Sequence, residues 1–215
     1  MKNETLKRIL SSLILIPIAL FFILKGSIFF IFFILVCFLI TSYEWHMMSK
    51  KKSYYFLGFI FLILSFLSAF YLRMNIPHYA HDFILVIAIC ISTDIGGFVF
   101  GKMFKGPKLT KISPNKTYSG MIGSYFLSII SVLVYANYYG NYWCAPYCPS
   151  ENKLLIIAIL ISSISQIGDL TISYFKRKSK IKNTGKIIPG HGGLLDRIDG
   201  MLFAIPFAFI LFNFL

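Results

Sequence analysis

The sequence predicts an all-α polytopic integral membrane protein of about seven transmembrane helices, and three observations carry that expectation. Of the 215 residues, 57% are hydrophobic and only 13% charged, about half the charged share of an ordinary soluble domain. Apolar runs such as SSLILIPIALFFIL, SIFFIFFILVCFLI and FLGFIFLILSFLSAFYL approach the roughly 20 residues that cross a bilayer as a helix. The cations are also unevenly spread: if the spans alternate, 18 of the 21 Lys and Arg fall on one side.

Taken in order, the first span covers 9–24. It follows the basic start MKNETLKR, but no small-residue cleavage site follows it and a second apolar run begins almost at once, so it reads as a retained helix rather than a removed leader. The second span, 27–43, runs into YEWH and the loop SKKKS, a plain basic anchor. The third and fourth cover 55–72 and 83–104. A longer loop, GKMFKGPKLTKISPNKT, leads into the fifth at 121–137. The sixth covers 154–175 and is followed by KRKSKIKNTGKIIPGHGGLLDR; the seventh covers 201–215. The start of the chain, SKKKS and the two long loops hold 3, 3, 5 and 7 Lys or Arg, whereas the opposite side receives only Lys25, Arg73 and Lys153. The positive-inside rule makes the rich side cytoplasmic, with the N-terminus inside and the C-terminus outside.

The net charge of +13 is therefore explained by topology and by anionic lipid at the surface, and it requires no nucleic acid partner. Cys37 and Cys90 fall within spans and read as small core residues. Cys144 and Cys148 lie in the outer loop NYWCAPYCPS, where a disulfide depends on the compartment.

Only eight acids exist, and four stand out: Asp94, Asp169, Asp196 and Asp199. Asp94 and Asp169 interrupt apolar helical runs, where a carboxylate costs about 2.5 to 3.5 kcal/mol and normally faces a cavity or partner. Each lies roughly two turns before the cytoplasmic exit, near the depth at which Asp196 and Asp199 can meet them. Asp196 and Asp199 share a face if their segment is helical, and Asp169, Ser173 and Lys176 share a stripe. Oxygen ligands without thiols or several histidines suit a hard cation such as Mg²⁺, held by carboxylates and substrate phosphates. Ser113, Lys116 and Thr117 in KISPNKT form a basic turn for phosphates, without the spacing of a P-loop. Gly96, Gly97, Gly190, Gly192 and Gly193 are expected to let backbone amides approach the same groups. A lone His191 supports no zinc site. The set points to phosphoryl or nucleotidyl transfer at the membrane surface.

These residues resemble those of the phosphatidate cytidylyltransferase (CDP-diacylglycerol synthase) family. Lys182, Gly185, Pro189, His191, Gly192, Gly193, Asp196, Arg197 and Asp199 match its C-terminal pattern. Asp94, Gly97, Phe100, Gly101, Lys102 and KISPNKT are similar to its upstream elements, and YEWH to a Glu-Trp element. Asn183 departs from the family's usual Asp, and Tyr118-Ser119 from its aromatic-acidic pair.

The resemblance implies transfer of CMP from CTP to phosphatidic acid, with release of pyrophosphate. It implies Asp169, Asp196, Asp199 and His191 as catalytic groups, and Asp94, Asp169, Asp196 and Asp199 as ligands of Mg²⁺ and of a second cation. Ser113, Lys116, Thr117, Lys176, Arg177, Lys182 and Arg197 would bind the substrates. On this reading 1–80 forms N-terminal transmembrane helices, and 81–215 a catalytic transmembrane region with cytoplasmic loops 101–120 and 176–200. The setting is a bacterial-type inner membrane, and a homodimer is implied by the resemblance alone. A CTP-dependent polyprenol kinase is the near alternative. An ion or proton transporter is a weaker one, having no use for Asp196, Arg197 and Asp199 in a glycine-rich loop. A CDP-alcohol phosphotransferase would require a D-x-x-D-G-x-x-A-R pattern, which does not occur.

Overall fold

The structure, a computed structural model, describes residues 2–74, 79–110, 112–143, 151–188 and 192–214. Cys144 and Cys148, and also His191, lie outside these. Among the described residues seven helices follow one another: α1 (Lys2–Lys25), α2 (Ser27–Ser49), α3 (Tyr55–Met74), α4 (Tyr79–Phe104), α5 (Tyr118–Trp143), α6 (Glu151–Lys178) and α7 (Leu195–Phe214). No strand occurs among the described residues beyond two isolated bridges, Lys108 with Thr117 and Ile188 with Gly192. Helices α2 to α6 contain stretches long and apolar enough to cross a membrane. In α1 the apolar stretch among the described residues is Leu13–Lys25. α7 begins six residues before the expected span and takes Asp196, Arg197 and Asp199 into its first turns.

Large apolar side chains such as Leu13, Ile28, Phe32, Phe56, Phe98, Ile122 and Ile156 are exposed around the bundle. Lipid tails suit that surface as water does not. The chain is a multi-pass membrane protein.

Two apolar clusters fill the interior, and both draw on helices from either side of residue 80. One joins Ile23, Phe30, Leu72, Phe83, Ile89, Val132, Ile161 and Ala208. The other lies toward the charged loops and joins Trp45, Met48, Tyr54, Leu62, Ile172, Leu195 and Leu202. Trp45 anchors the second: its indole N–H donates to the Tyr55 carbonyl at 3.0 Å, and its ring meets Tyr54 and Phe175 edge-on.

Backbone polarity is settled inside the bundle, as an apolar surround requires. Pro206 has no N–H to offer the Leu202 carbonyl one turn earlier, and the Ser65 hydroxyl donates to that oxygen instead, at 2.8 Å. Gly26 turns the chain between α1 and α2 with φ of 64°. Arg73 crosses above it and donates to the carbonyls of Ile23 and Leu24 at 3.0 and 3.3 Å, capping α1.

Helices α4 and α5 cross at glycines. A Cβ on Gly96 would fall on the Gly123 carbonyl oxygen, and one on Gly120 would lie 2.7 Å from the Gly97 carbonyl oxygen. This corrects the expectation for Gly96 and Gly97. They sit inside α4, where they admit a neighbouring helix rather than a phosphate, in the manner of small-residue contacts between membrane helices.

Candidate active site

Three helices and one hairpin meet toward the charged end of the bundle. Asp94 comes from α4, Asp169 from α6 and Asp199 from α7. Asp94 is within electrostatic reach of Asp169, Lys116 and Arg197. Asp199 is buried and within reach of Asp169, Lys176 and Asp94. Asp169 is thus the middle member. It pairs with Lys116 at 2.5 Å and accepts a long hydrogen bond from Ser173, 3.3 Å, along the expected stripe of α6.

Lys116 is presented by the hairpin between α4 and α5. The Leu109 amide donates to the Lys116 carbonyl at 2.8 Å, the Lys116 amide to Ser113 at 3.0 Å and the Tyr118 amide to Pro107 at 3.2 Å. Ser113 therefore stands in the turn that leads to Lys116. Thr117 caps α5: its hydroxyl accepts from the Gly120 amide at 3.1 Å and pairs with Ser119 at 3.0 Å. Such a cap satisfies an amide that the helix cannot, so Thr117 already has a use in the fold.

Asp196 has a different environment from the other three acids. One oxygen meets the Lys176 ammonium at 2.9 Å, both side chains being about a tenth exposed or less (10% and 8%). The other accepts from the amides of Thr184 and Gly193 at 2.9 and 3.1 Å. Lys176 is thereby committed to a carboxylate. Arg177 is exposed and donates to the Ile181 carbonyl at 3.4 Å, closing the end of its own helix. Lys182 and Arg197 are exposed.

The residue that sequence reasoning missed is Glu44, near the end of α2. Only 1% of it is exposed. One carboxylate oxygen accepts from the Leu194 amide at 2.9 Å, and the other from the Leu195 amide at 2.8 Å and the Thr184 hydroxyl at 2.9 Å. Its signal was visible in YEWH: an acid inside an apolar helix needs a buried partner as much as Asp94 or Asp169 does.

With Glu44 in place, the glycine-rich segment looks unlike an open cradle for phosphates. The Gly192 amide donates to Ile188 at 3.2 Å, that of Gly193 to Asp196, and those of Leu194 and Leu195 to Glu44. All four successive N–H groups are occupied by the chain's own acceptors. The expectation that Gly192 and Gly193 free amides for substrate is corrected accordingly.

Among the described residues no three His, Cys, Asp or Glu side chains are close enough together to hold a metal ion by themselves. The donor chemistry nevertheless fits Mg²⁺, which is commonly held by one or two carboxylates, with water and phosphate oxygens completing the shell. Asp169 and Asp199, with Asp94 beside them, are carboxylates of that kind.

A profile of the cytidylyltransferase family matches residues 50–215. The chain is 36% identical over 216 residues to the phosphatidate cytidylyltransferase of Rickettsia prowazekii (strain Madrid E), covering 97% of this chain and 92% of that protein. It is 37% identical to the phosphatidate cytidylyltransferase of Rickettsia felis (strain ATCC VR-1525 / URRWXCal2), over 98% and 93% of the two. To the phosphatidate cytidylyltransferase of Haemophilus influenzae (strain ATCC 51907 / DSM 11121 / KW20 / Rd) it is 34% identical over 63% of this chain and 49% of that one. With the family profile covering most of the chain and relatives matching it from end to end, this membrane bundle belongs to the cytidylyltransferase family.

Proposed function

We propose that the protein is a phosphatidate cytidylyltransferase, transferring CMP from CTP to phosphatidic acid to give CDP-diacylglycerol and pyrophosphate for phospholipid synthesis. The observation that carries this reading is the meeting of Asp94, Asp169 and Asp199 with Lys116, Lys176 and Arg197 at one end of an apolar bundle. A lipid phosphate and a soluble nucleotide can both reach a site at that level.

The phosphate of phosphatidic acid is already an anion, so attack on the α-phosphorus of CTP needs alignment and charge neutralisation more than a strong base. Lys116 would bind triphosphate oxygens, exchanging part of its pairing with Asp169 for them. Arg197, exposed at the first turn of α7, offers a bidentate contact to a second phosphate. Asp169 and Asp199 would hold Mg²⁺ together with substrate phosphate oxygens, Asp94 standing beside them, and the ion when bound would supply positive charge against the developing charge on phosphorus and the leaving pyrophosphate. Asp196 serves by fixing Lys176 and the loop before α7. The setting we propose is the bacterial inner membrane, with the N-terminus and the site facing the cytoplasm, as the lysine bias requires.

The test is transfer of label from α-labelled CTP into lipid by purified protein with phosphatidic acid and Mg²⁺, beside Asp169→Asn and Asp199→Asn. Labelled CDP-diacylglycerol that the variants fail to form is the expected result. Absence of labelled lipid from folded, unsubstituted protein would refute the reading, and γ-labelled CTP with polyprenol then tests for a kinase.

A further inference from the structure

Among the described residues Glu44 is the most deeply buried acid, and the proposed reaction does not use it. It stands on α2, 140 to 151 residues from the groups it touches, and its partners among the described residues lie between Thr184 and Leu195. A helix N-terminus with free amides is an anion site, and here the anion is the protein's own.

The glycines around it are shaped to the same purpose. A Cβ on Gly185 would come within 2.7 Å of one Glu44 oxygen, and a Cβ on Gly193 within 2.5 Å of the other. Any side chain at either position would displace the carboxylate. Two glycines of the loop are therefore explained by Glu44 with no reference to a phosphate. Gly192, at φ 94°, would put its Cβ 3.0 Å from an Asp196 oxygen, so the second internal carboxylate shapes the loop in the same way.

We infer that Glu44 is a positioning residue for the reaction: by seating its carboxylate on the first amides of α7 it fixes the helix that carries Arg197 and Asp199, and keeps substrate phosphates off that end. This rests on the proposed cytidylyltransferase activity. Glu44 touches neither substrate, so its effect passes through α7.

The chemistry of the pair predicts what substitution does. In Glu44→Gln one oxygen becomes an NH₂ group that faces a backbone N–H, so at least one hydrogen bond becomes a contact between two donors. The first turn of α7 then shifts while Lys116 remains on its hairpin. Turnover is expected to fall about 10- to 100-fold, as when the groups that orient a site are lost, with the apparent KM for CTP within about threefold of the parent. Glu44→Ala leaves room for a small carboxylate, and formate, unlike chloride, is expected to restore part of the lost turnover. Thr184→Val, which removes one donor and keeps the charge, is expected to lower turnover less than Glu44→Gln.

The experiment compares kcat and KM of these three variants in the labelled-CTP assay, with formate titrated into Glu44→Ala, and measures amide hydrogen exchange over 192–199 in Glu44→Gln. Reduced kcat at nearly constant KM, formate rescue and faster exchange are the expected results. A Glu44→Gln enzyme within twofold of the parent in kcat overturns the inference, as does a loss that formate does not relieve in folded Glu44→Ala. Should Glu44→Ala fail to fold, kcat of Glu44→Gln and Thr184→Val decides. If the unsubstituted protein makes no labelled lipid, the functional reading fails separately. Exchange over 192–199 then decides on the seating of α7, unchanged exchange overturning it.

Discussion

Replacing Asp196 by Asn tests whether this acid holds the loop before α7 and its lysine, and the structure sets the size of the effect. The two side chains keep one shape, so the change is almost purely one of charge and of one acceptor. If the amide oxygen stays on the Thr184 and Gly193 amides, now 2.9 and 3.1 Å from the carboxylate, the NH₂ group faces the Lys176 ammonium and a nearly buried ion pair is lost. Breaking such a pair from one side costs about 3 to 5 kcal/mol. If the amide turns over, two charge-assisted bonds are lost, each worth about 1.5 to 3 kcal/mol. Both orientations lead to a destabilisation of about 3 kcal/mol. Denaturant unfolding in mixed micelles of the parent, Asp196→Asn, Lys176→Met and the double variant forms a cycle whose coupling energy should be about 2 kcal/mol. A coupling under about 0.5 kcal/mol, the scale of an exposed pair, would refute the assignment and return Asp196 to the set of free ligands.

Gly96→Ala drives a methyl into the Gly123 backbone and should cost about 1 to 3 kcal/mol by the same unfolding measurement. Thr117→Ala removes the cap on α5; it should lower stability by about 1 kcal/mol and leave a CTP KM close to the parent's, whereas a substrate-binding Thr117 would raise KM. Chelation with EDTA should abolish CDP-diacylglycerol formation and added Mg²⁺ restore it, and activity indifferent to both would remove the ion from the proposal. Lys108→Cys, exposed on the hairpin, in a chain whose four native cysteines are replaced by Ser, should react with an impermeant maleimide in inverted inner-membrane vesicles and not in intact spheroplasts; the reverse pattern overturns the orientation.

Composition was sufficient for the fold, since helical spans are the way a chain this apolar buries its backbone polarity. Helix ends were less legible. α7 starts at Leu195 because a carboxylate far away in sequence neutralises its first amides, and no local pattern encodes that contact. Asp94 and Asp169 were legible as misfits in apolar runs, and Asp199 as their neighbour in a basic loop. The sequence could not separate Asp196 from Asp199. Three residues apart on one helix, one pairs directly with Lys176 and two amides, while the other is in electrostatic reach of Asp169, Lys176 and Asp94. The glycines were read by type as phosphate-binding, yet Gly96 serves a helix crossing and Gly193 admits Glu44. Glycine reports a close approach, and only the fold tells what approaches.

The pairing of α2 with the start of α7 also fixes when in its life the chain can act. Translation delivers the N-terminal helices first, so Glu44 enters the membrane long before the amides it holds have been made. Leu194 and Leu195 emerge 150 and 151 residues later, at the start of α7. A nascent chain still lacking that helix has Lys116 and Asp169 but neither Arg197 nor Asp199, and its α2 carboxylate stands unmatched. Such an intermediate lacks part of the proposed phosphate and metal site, and competence would arrive in a single late step.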